Sequence, residues 1–306
     1  MMDPNDVITR YPGNPILTGA DIPGAHTVFN SGVAEYNGRY VMVMRVEIKT
    51  GQQTMQLAWS DDGIHWEPEP HKVLEPTEEP YLTYEEANYD PRVTKIGDTY
   101  YIMYCSENRF GAQLGLSKTK DFKTFEKVGM QAEPNNRNGV LFSEKIGGYY
   151  ARLDRPFSEG VAGNMWISFS PDLIHWGQFR CVMESRRFCW DRGKIGPGAP
   201  PFRTDEGWLE IFHGTTPFCN GLVYRLGVVL LDLEQPWKVV ARAEQYLLTP
   251  QTDYERHGDV DNVCFACAAL PDYKNDLVRI YYGGADTCMC LATAKISDLI
   301  AFAKDG

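Results

Sequence analysis

Three cationic side chains end three apolar, aromatic-rich runs of this sequence. Arg45 follows Val41-Met42-Val43-Met44, Arg155 closes Tyr149-Tyr150-Ala151-Arg152-Leu153-Asp154, and His213 follows Trp208-Leu209-Glu210-Ile211-Phe212. Other polar groups occur once each: Asn30-Ser31, Asn88-Tyr89-Asp90-Pro91-Arg92, Asn136-Arg137-Asn138, Lys194 ahead of Ile195-Gly196-Pro197-Gly198, and Asp286 in Gly283-Gly284-Ala285-Asp286. Taken singly, each arginine reads equally well as half of a surface salt bridge. Taken together, arginine, lysine and histidine at comparable strand ends imply convergence on one mouth. Gathering such cations costs repulsion even in a chain of net charge -11, and an anionic ligand would offset it. Arginine suits phosphate because its planar fork donates two parallel hydrogen bonds.

The elements that must position these groups are short strands. Runs at 41–44, 100–104, 149–153, 208–212 and 278–282 are rich in aromatic and β-branched residues, and turn signals such as Asn37-Gly38, Gly97-Asp98 and Gly147-Gly148 precede them. Each is followed by a second strand carrying small residues, for example Gln56-Leu57-Ala58-Trp59-Ser60 and Trp166-Ile167-Ser168-Phe169-Ser170. Tails then recur: Ser60-Asp61-Asp62-Gly63-Ile64-His65-Trp66 matches Ser170-Pro171-Asp172-Leu173-Ile174-His175-Trp176, and looser copies start at Asp121 and Asp232. A unit of roughly 50 to 60 residues with about four short strands predicts an all-β fold, a five-bladed β-propeller occupying residues 1–306 as a single domain. The recurring Asp and Trp read as turn and inter-blade packing residues, because they repeat where a catalytic site would not. A short helix is expected over 296–303.

Composition narrows the function classes. With 306 residues, 43% hydrophobic and 23% charged, the chain is long enough for a large core. Its acidity argues against nucleic-acid binding. No stretch approaches the roughly 20 apolar residues of a membrane span, and Met1 to Tyr11 lacks the apolar centre of a signal peptide, so a cytoplasmic location is expected. Of eight cysteines, Cys264 and Cys267 lie in the apolar run Val263-Cys264-Phe265-Ala266-Cys267-Ala268-Ala269, and Cys288 and Cys290 form a CxC. They read as buried thiols rather than as a metal or redox centre.

Six segments in order, Asn88-Tyr89-Asp90-Pro91-Arg92, Asn136-Arg137-Asn138-Gly139-Val140-Leu141-Phe142, Asp154-Arg155-Pro156, Lys194-Ile195-Gly196-Pro197-Gly198, Phe212-His213-Gly214 and Tyr281-Tyr282-Gly283-Gly284-Ala285-Asp286, make the sequence similar to glycoside hydrolase family 130, the β-mannoside phosphorylases. The resemblance runs from about Asn14 to the C-terminus. It implies a five-bladed propeller that cleaves β-mannosides with inorganic phosphate, reversibly and with inversion, to α-mannose 1-phosphate. It puts the catalytic acid on Asp90, acting through the mannose 3-hydroxyl. It puts the phosphate cradle on Arg137, Arg155, Lys194 and His213 with Tyr224. Around the mannoside it puts Asn30, Ser31, Arg45, Asn88, Tyr89, Asn138 and Asp286. It also implies a homo-oligomer and no metal or organic cofactor, phosphate being a co-substrate.

The implied chemistry is self-consistent. An inverting hydrolase needs an acid and a base, whereas phosphate is already an anionic nucleophile, so a cationic cradle replaces the base. Two rivals stay open: a mannoside hydrolase on the same fold, and a non-catalytic carbohydrate-binding propeller using Tyr81, Tyr84 and Phe110. Linkage stays open between β-1,4 and β-1,2. The short N-terminus favours mannobiose or mannooligosaccharides over mannosyl-glucose. Arg186, Arg187 and Arg192 either shape a lid or acceptor site or are solvated.

Overall fold

The computed structural model describes residues 2–158, 163–219 and 221–305. Its strands form five antiparallel sheets, the five blades of a propeller. Blade one comprises Ala25–Tyr36, Arg39–Ile48, Gln53–Ser60 and Glu67–Val73, and blade two Ala87–Ile96, Thr99–Asn108, Gly111–Thr119 and Glu126–Met130. Blade three comprises Asn136–Leu141, Tyr150–Pro156, Met165–Ser170 and Gly177–Met183. Blade four has Ile195–Pro197 and Phe202–Thr204 along Gly207–Phe218, then Gly221–Leu231 and Val239–Arg242. Blade five has Cys264–Asp272, Leu277–Gly284 and Cys288–Ala294. The first strand of each blade is innermost. The expected C-terminal helix spans Ile296–Lys304.

The strands form where the sequence lacks simple alternation, because each blade is covered on both faces by its neighbours. Val41, Met42, Val43 and Met44 are all fully buried, two facing the cluster shared with blade five and two the cluster shared with blade two. Asn37 and Gly38 turn the first hairpin with positive φ at both positions, as a type I′ turn requires. The repeated tails are Asx turns. Asp62 Oδ1 accepts from the backbone N–H of Ile64 and His65, and Asp172 Oδ1 does the same for Ile174 and His175. The rings that follow pack across blades: Trp66 on Tyr281 of blade five, Trp237 on Phe169 of blade three, and Trp176 Nε1 donating to Gln131 Oε1 after blade two.

Blade five takes its outer strand from the other end of the chain. Ile8, Thr9 and Arg10 pair with Ala294, Thr293 and Ala292, so the N-terminus closes the ring. Three residues are too few to register as a periodic run in the sequence. The closure is pinned by Arg10, whose Nε donates to Glu255 Oε1 at 2.7 Å, a carboxylate that is itself fully buried.

One irregularity recurs where the blades converge. The innermost strands of blades one, two and three each slip register at the channel, after Phe29, Tyr89 and Arg137. The next residue in each case, Asn30, Asp90 or Asn138, takes positive φ: 46°, 52° and 60°. Asn and Asp tolerate this region better than other side-chain-bearing residues. These β-bulges re-aim side chains at the channel.

Replacing Arg10 by Met leaves Glu255 buried without its guanidinium. The expected loss of stability is about 3 kcal/mol, measured from urea-unfolding midpoints. A loss below about 1 kcal/mol would show that the N-terminal strand does not latch the ring through this pair.

Candidate active site

At the bulges a cavity of about 400 Å³ opens. All but three of the residues picked out in the sequence line it. Asn30 and Arg45 come from blade one, Tyr89 and Asp90 from blade two, and Arg137, Asn138 and Arg155 from blade three. Lys194 and Tyr224 come from blade four and Asp286 from blade five. The strand-end cations share a register: Arg45 pairs with Phe29, Arg155 with Arg137 and His213 with Gly196.

Blades one, two and five build an acidic side. Asp90 is nearly buried, and its Oδ1 accepts from Arg45 at 2.6 Å and from Asn30 Nδ2 at 3.2 Å. Arg92, buried beneath, donates to the Asp90 carbonyl at 2.7 Å and to the Gly198 carbonyl, fixing the bulge to blade four. Arg45 is itself held by Gln53 and lies over the Phe29 and Tyr89 rings. Gly283 admits Asn30, since a Cβ there would fall 2.2 Å from Asn30 Oδ1. Burial, reinforced by the neighbouring Asp90 charge and opposed by Arg45, pushes the Asp286 carboxyl up to about 6.

Blades three and four build a cationic side. Among the described residues neither Arg155 nor Lys194 has an ion-pair partner, although both are largely buried. Burial, with Arg155 and Arg137 nearby, brings the Lys194 ammonium down to about 8. Lys194 Nζ also lies 5.2 Å from the Tyr224 ring centroid. Arg137 is compensated by Glu107, which accepts from Tyr89 as well at 2.7 Å. A largely buried pocket with two uncompensated cations facing a carboxyl is suited to aim an anion at a bond whose leaving group the carboxyl protonates.

Three of the expected residues do not line the cavity. His213 is fully buried and lies behind the cavity wall. Its Nε2 accepts from Arg155 at 3.0 Å and faces Asn138 Nδ2 at 3.3 Å. Burial, with Arg155, Arg92 and Lys194 around it, holds its pKa well below the usual value, so it is a neutral acceptor that orients Arg155 rather than a cation. Asn88 lies on the opposite face of its strand from Tyr89 and donates to Glu85, in a buried cluster with Lys127 and Tyr104. Ser31 is buried, and its Oγ accepts from the Arg45 backbone N–H, so it supports Arg45 from below.

The remaining assignments are resolved by contacts. Arg186 and Arg242 both grip the fully buried Asp191, and Arg192 donates to the Pro217 carbonyl, so the segment is clamped to blade four outside the cavity lining. Arg187 lies over the exposed Phe188 ring. Tyr84 packs on Phe110, and neither they nor Tyr81 line the cavity. Cys264, Cys267, Cys288 and Cys290 are buried. Sequence reasoning missed Gln53, Glu107 and Phe265. Glu107 was within reach: it ends the aromatic strand of blade two, as Arg45 and Arg155 end theirs.

Comparison with known proteins identifies the chain's relatives. A family model described as β-1,4-mannooligosaccharide phosphorylase, glycoside hydrolase family 130, matches residues 6–305. The chain is 41% identical to a β-1,4-mannooligosaccharide phosphorylase of Ruminococcus albus, over 99% of this chain and 92% of the relative. It is 32% identical to a β-1,2-mannobiose phosphorylase of Listeria innocua, over 96% and 97%. A solved β-1,2-mannobiose complex of the Listeria innocua phosphorylase superposes with TM-score 0.89 at 31% identity, covering 97% of this chain and 99% of that one.

Lys194 is charged below its pKa of about 8 and loses its proton as pH rises through it. kcat/KM for the anionic co-substrate should therefore fall above about pH 8, and Lys194→Ala should remove that limb of the profile. An unchanged limb in the variant would exclude Lys194 as its origin. Gly283→Ala should displace Asn30 from Asp90 and lower kcat about 100-fold with little change in melting temperature; full activity would show that the Asn30 contact is dispensable.

Proposed function

The chain belongs to glycoside hydrolase family 130, and from that membership we propose that it phosphorolyses β-1,4-mannooligosaccharides with inversion, giving α-D-mannose 1-phosphate and the shortened sugar. Phosphorolysis of β-mannosides is the activity named for the curated relatives it matches. The observation that carries the reading is the pair of uncompensated, largely buried cations, Arg155 and Lys194, set in one cavity with Asp90. Phosphate neutralises that pair, which water does not. A phosphate oxygen attacks the anomeric carbon from the Arg155 side as the glycosidic C–O bond breaks. The departing oxygen takes the proton of the mannose 3-hydroxyl, which is replaced from Asp90. Because Oδ1 is occupied by Arg45 and Asn30, Oδ2 is the oxygen left to serve.

A hydrolase would need a base to activate water. Glu107 is tied to Tyr89 and Arg137, and Asp286 sits beside Arg45 and Asp90 on the acid's own side. Reversibility follows from a product that is itself an activated glycosyl phosphate. We place the enzyme in the cytoplasm as a homo-oligomer, where phosphate is available and the charged product is retained. The β-1,4 linkage is favoured by the family description and by the Ruminococcus relative.

The test is incubation with β-1,4- and β-1,2-mannobiose, each with and without phosphate, following mannose 1-phosphate and free mannose. Phosphate-dependent release, faster from the β-1,4 disaccharide, is expected. Asp90→Asn, which keeps a side chain tolerant of the bulge, should lower kcat about 10³-fold. Free mannose formed equally well without phosphate would mean hydrolysis.

A further inference from the structure

A second, larger recess of about 720 Å³ lies between blades two and three, outside the catalytic cavity. Its polar floor is Asn136, Arg152 and Asp154, all at least nine-tenths buried, and the exposed Glu133 and Asn135 lie at its rim. Arg152 donates to Asp154 at 2.9 Å and to the Gln131 carbonyl, so the floor carries both donors and acceptors with no net charge. Asn136 Oδ1 is buried with no hydrogen-bond partner among the described residues. The walls are rings: Trp176, 4.2 Å from the Arg152 guanidinium, with Trp166, Phe157 and Phe179. Phe157 and Phe179 stand 46% and 61% exposed.

We propose that this recess is a second carbohydrate-binding site, holding a neutral oligosaccharide apart from the one being cleaved. The Arg152–Asp154 pair leaves the floor without net charge and Glu133 adds a carboxylate at the rim, so the lining offers an anion no attraction. Flat aromatic walls over a hydrogen-bonding floor match a pyranose, which offers C–H faces to the rings and hydroxyls to polar groups. The buried, unpartnered Asn136 Oδ1 is an acceptor that a sugar hydroxyl satisfies. The recess is back to back with the active site. Arg137 and Arg155 face the catalytic cavity, while Asn136 and Asp154, one residue earlier on each strand, face the recess. A long chain held there stays beside the site that shortens it. The choice of a mannan chain as ligand rests on the proposed function; the choice of a neutral sugar does not.

The experiment is calorimetric titration of the intact protein with β-1,4-mannohexaose in the absence of phosphate, for the wild type and a Phe157→Ala/Phe179→Ala double variant. Both rings are exposed, so folding is expected to persist, and kcat/KM on mannobiose should be unchanged. The wild type should bind two hexaoses per chain and the variant one, the second site weakening about tenfold. A single site in the wild type, or two undiminished sites in the variant, would overturn the proposal. So would a halved molecular mass of the variant by light scattering, since the recess would then be an interface between copies. If mannobiose is not turned over at all, the functional reading fails, and the phosphate-free titration still decides whether the recess binds sugar.

Discussion

The site depends on a backbone irregularity repeated around the channel. In a regular strand neighbouring side chains point to opposite faces, so Tyr89 and Asp90 could not both reach one cavity. The register slip after Tyr89, with Asp90 at φ 52°, turns both into it, and the same device at Asn30 and Asn138 supplies groups from blades one and three. Left-handed backbone costs free energy for any residue with a Cβ. The surrounding blades over-determine it: Arg92 holds the Asp90 carbonyl, and Gly32 leaves room where a Cβ would lie 2.8 Å from the Pro91 carbonyl oxygen. The propeller thus acts as a rigid ring whose inner strands are bent at matched heights.

On that ring the charges are divided rather than balanced. Arg45 is matched to Asp90 and Arg137 to Glu107, while Arg155 and Lys194 are left without counter-charges of their own. Uncompensated burial destabilises the empty protein and depresses the Lys194 pKa. The same arrangement is what an anionic nucleophile stabilises on binding. Neutral His213 contributes by accepting from Arg155 without adding to the repulsion.

Much of this was legible in the sequence. Turn chemistry, doubled aromatic strands and the Asp-x-x-x-Trp tails specify five blades, because each blade must solve the same packing problem. Arg45, Arg155 and His213 stood out because strand ends share a register. What the sequence hid follows from geometry. Asn88 belongs to the same contiguous motif as Asp90, yet parity sets it opposite Tyr89, and only the bulge carries Asp90 across to the face of Tyr89. His213 matches Arg155 in register but faces Gly196, whose missing side chain admits the ring, so it sits deeper. The closing strand Ile8–Arg10 carries no local signal, because its partners lie at the far end of the chain.

The most direct test is a crystal structure with inorganic phosphate and mannobiose bound to the Asp90→Asn protein. Phosphate is expected between Arg155 and Lys194, with the anomeric carbon between it and residue 90. Phosphate bound elsewhere, or on the same face of the sugar as residue 90, would contradict the division of the cavity into an acidic and an anion-holding side.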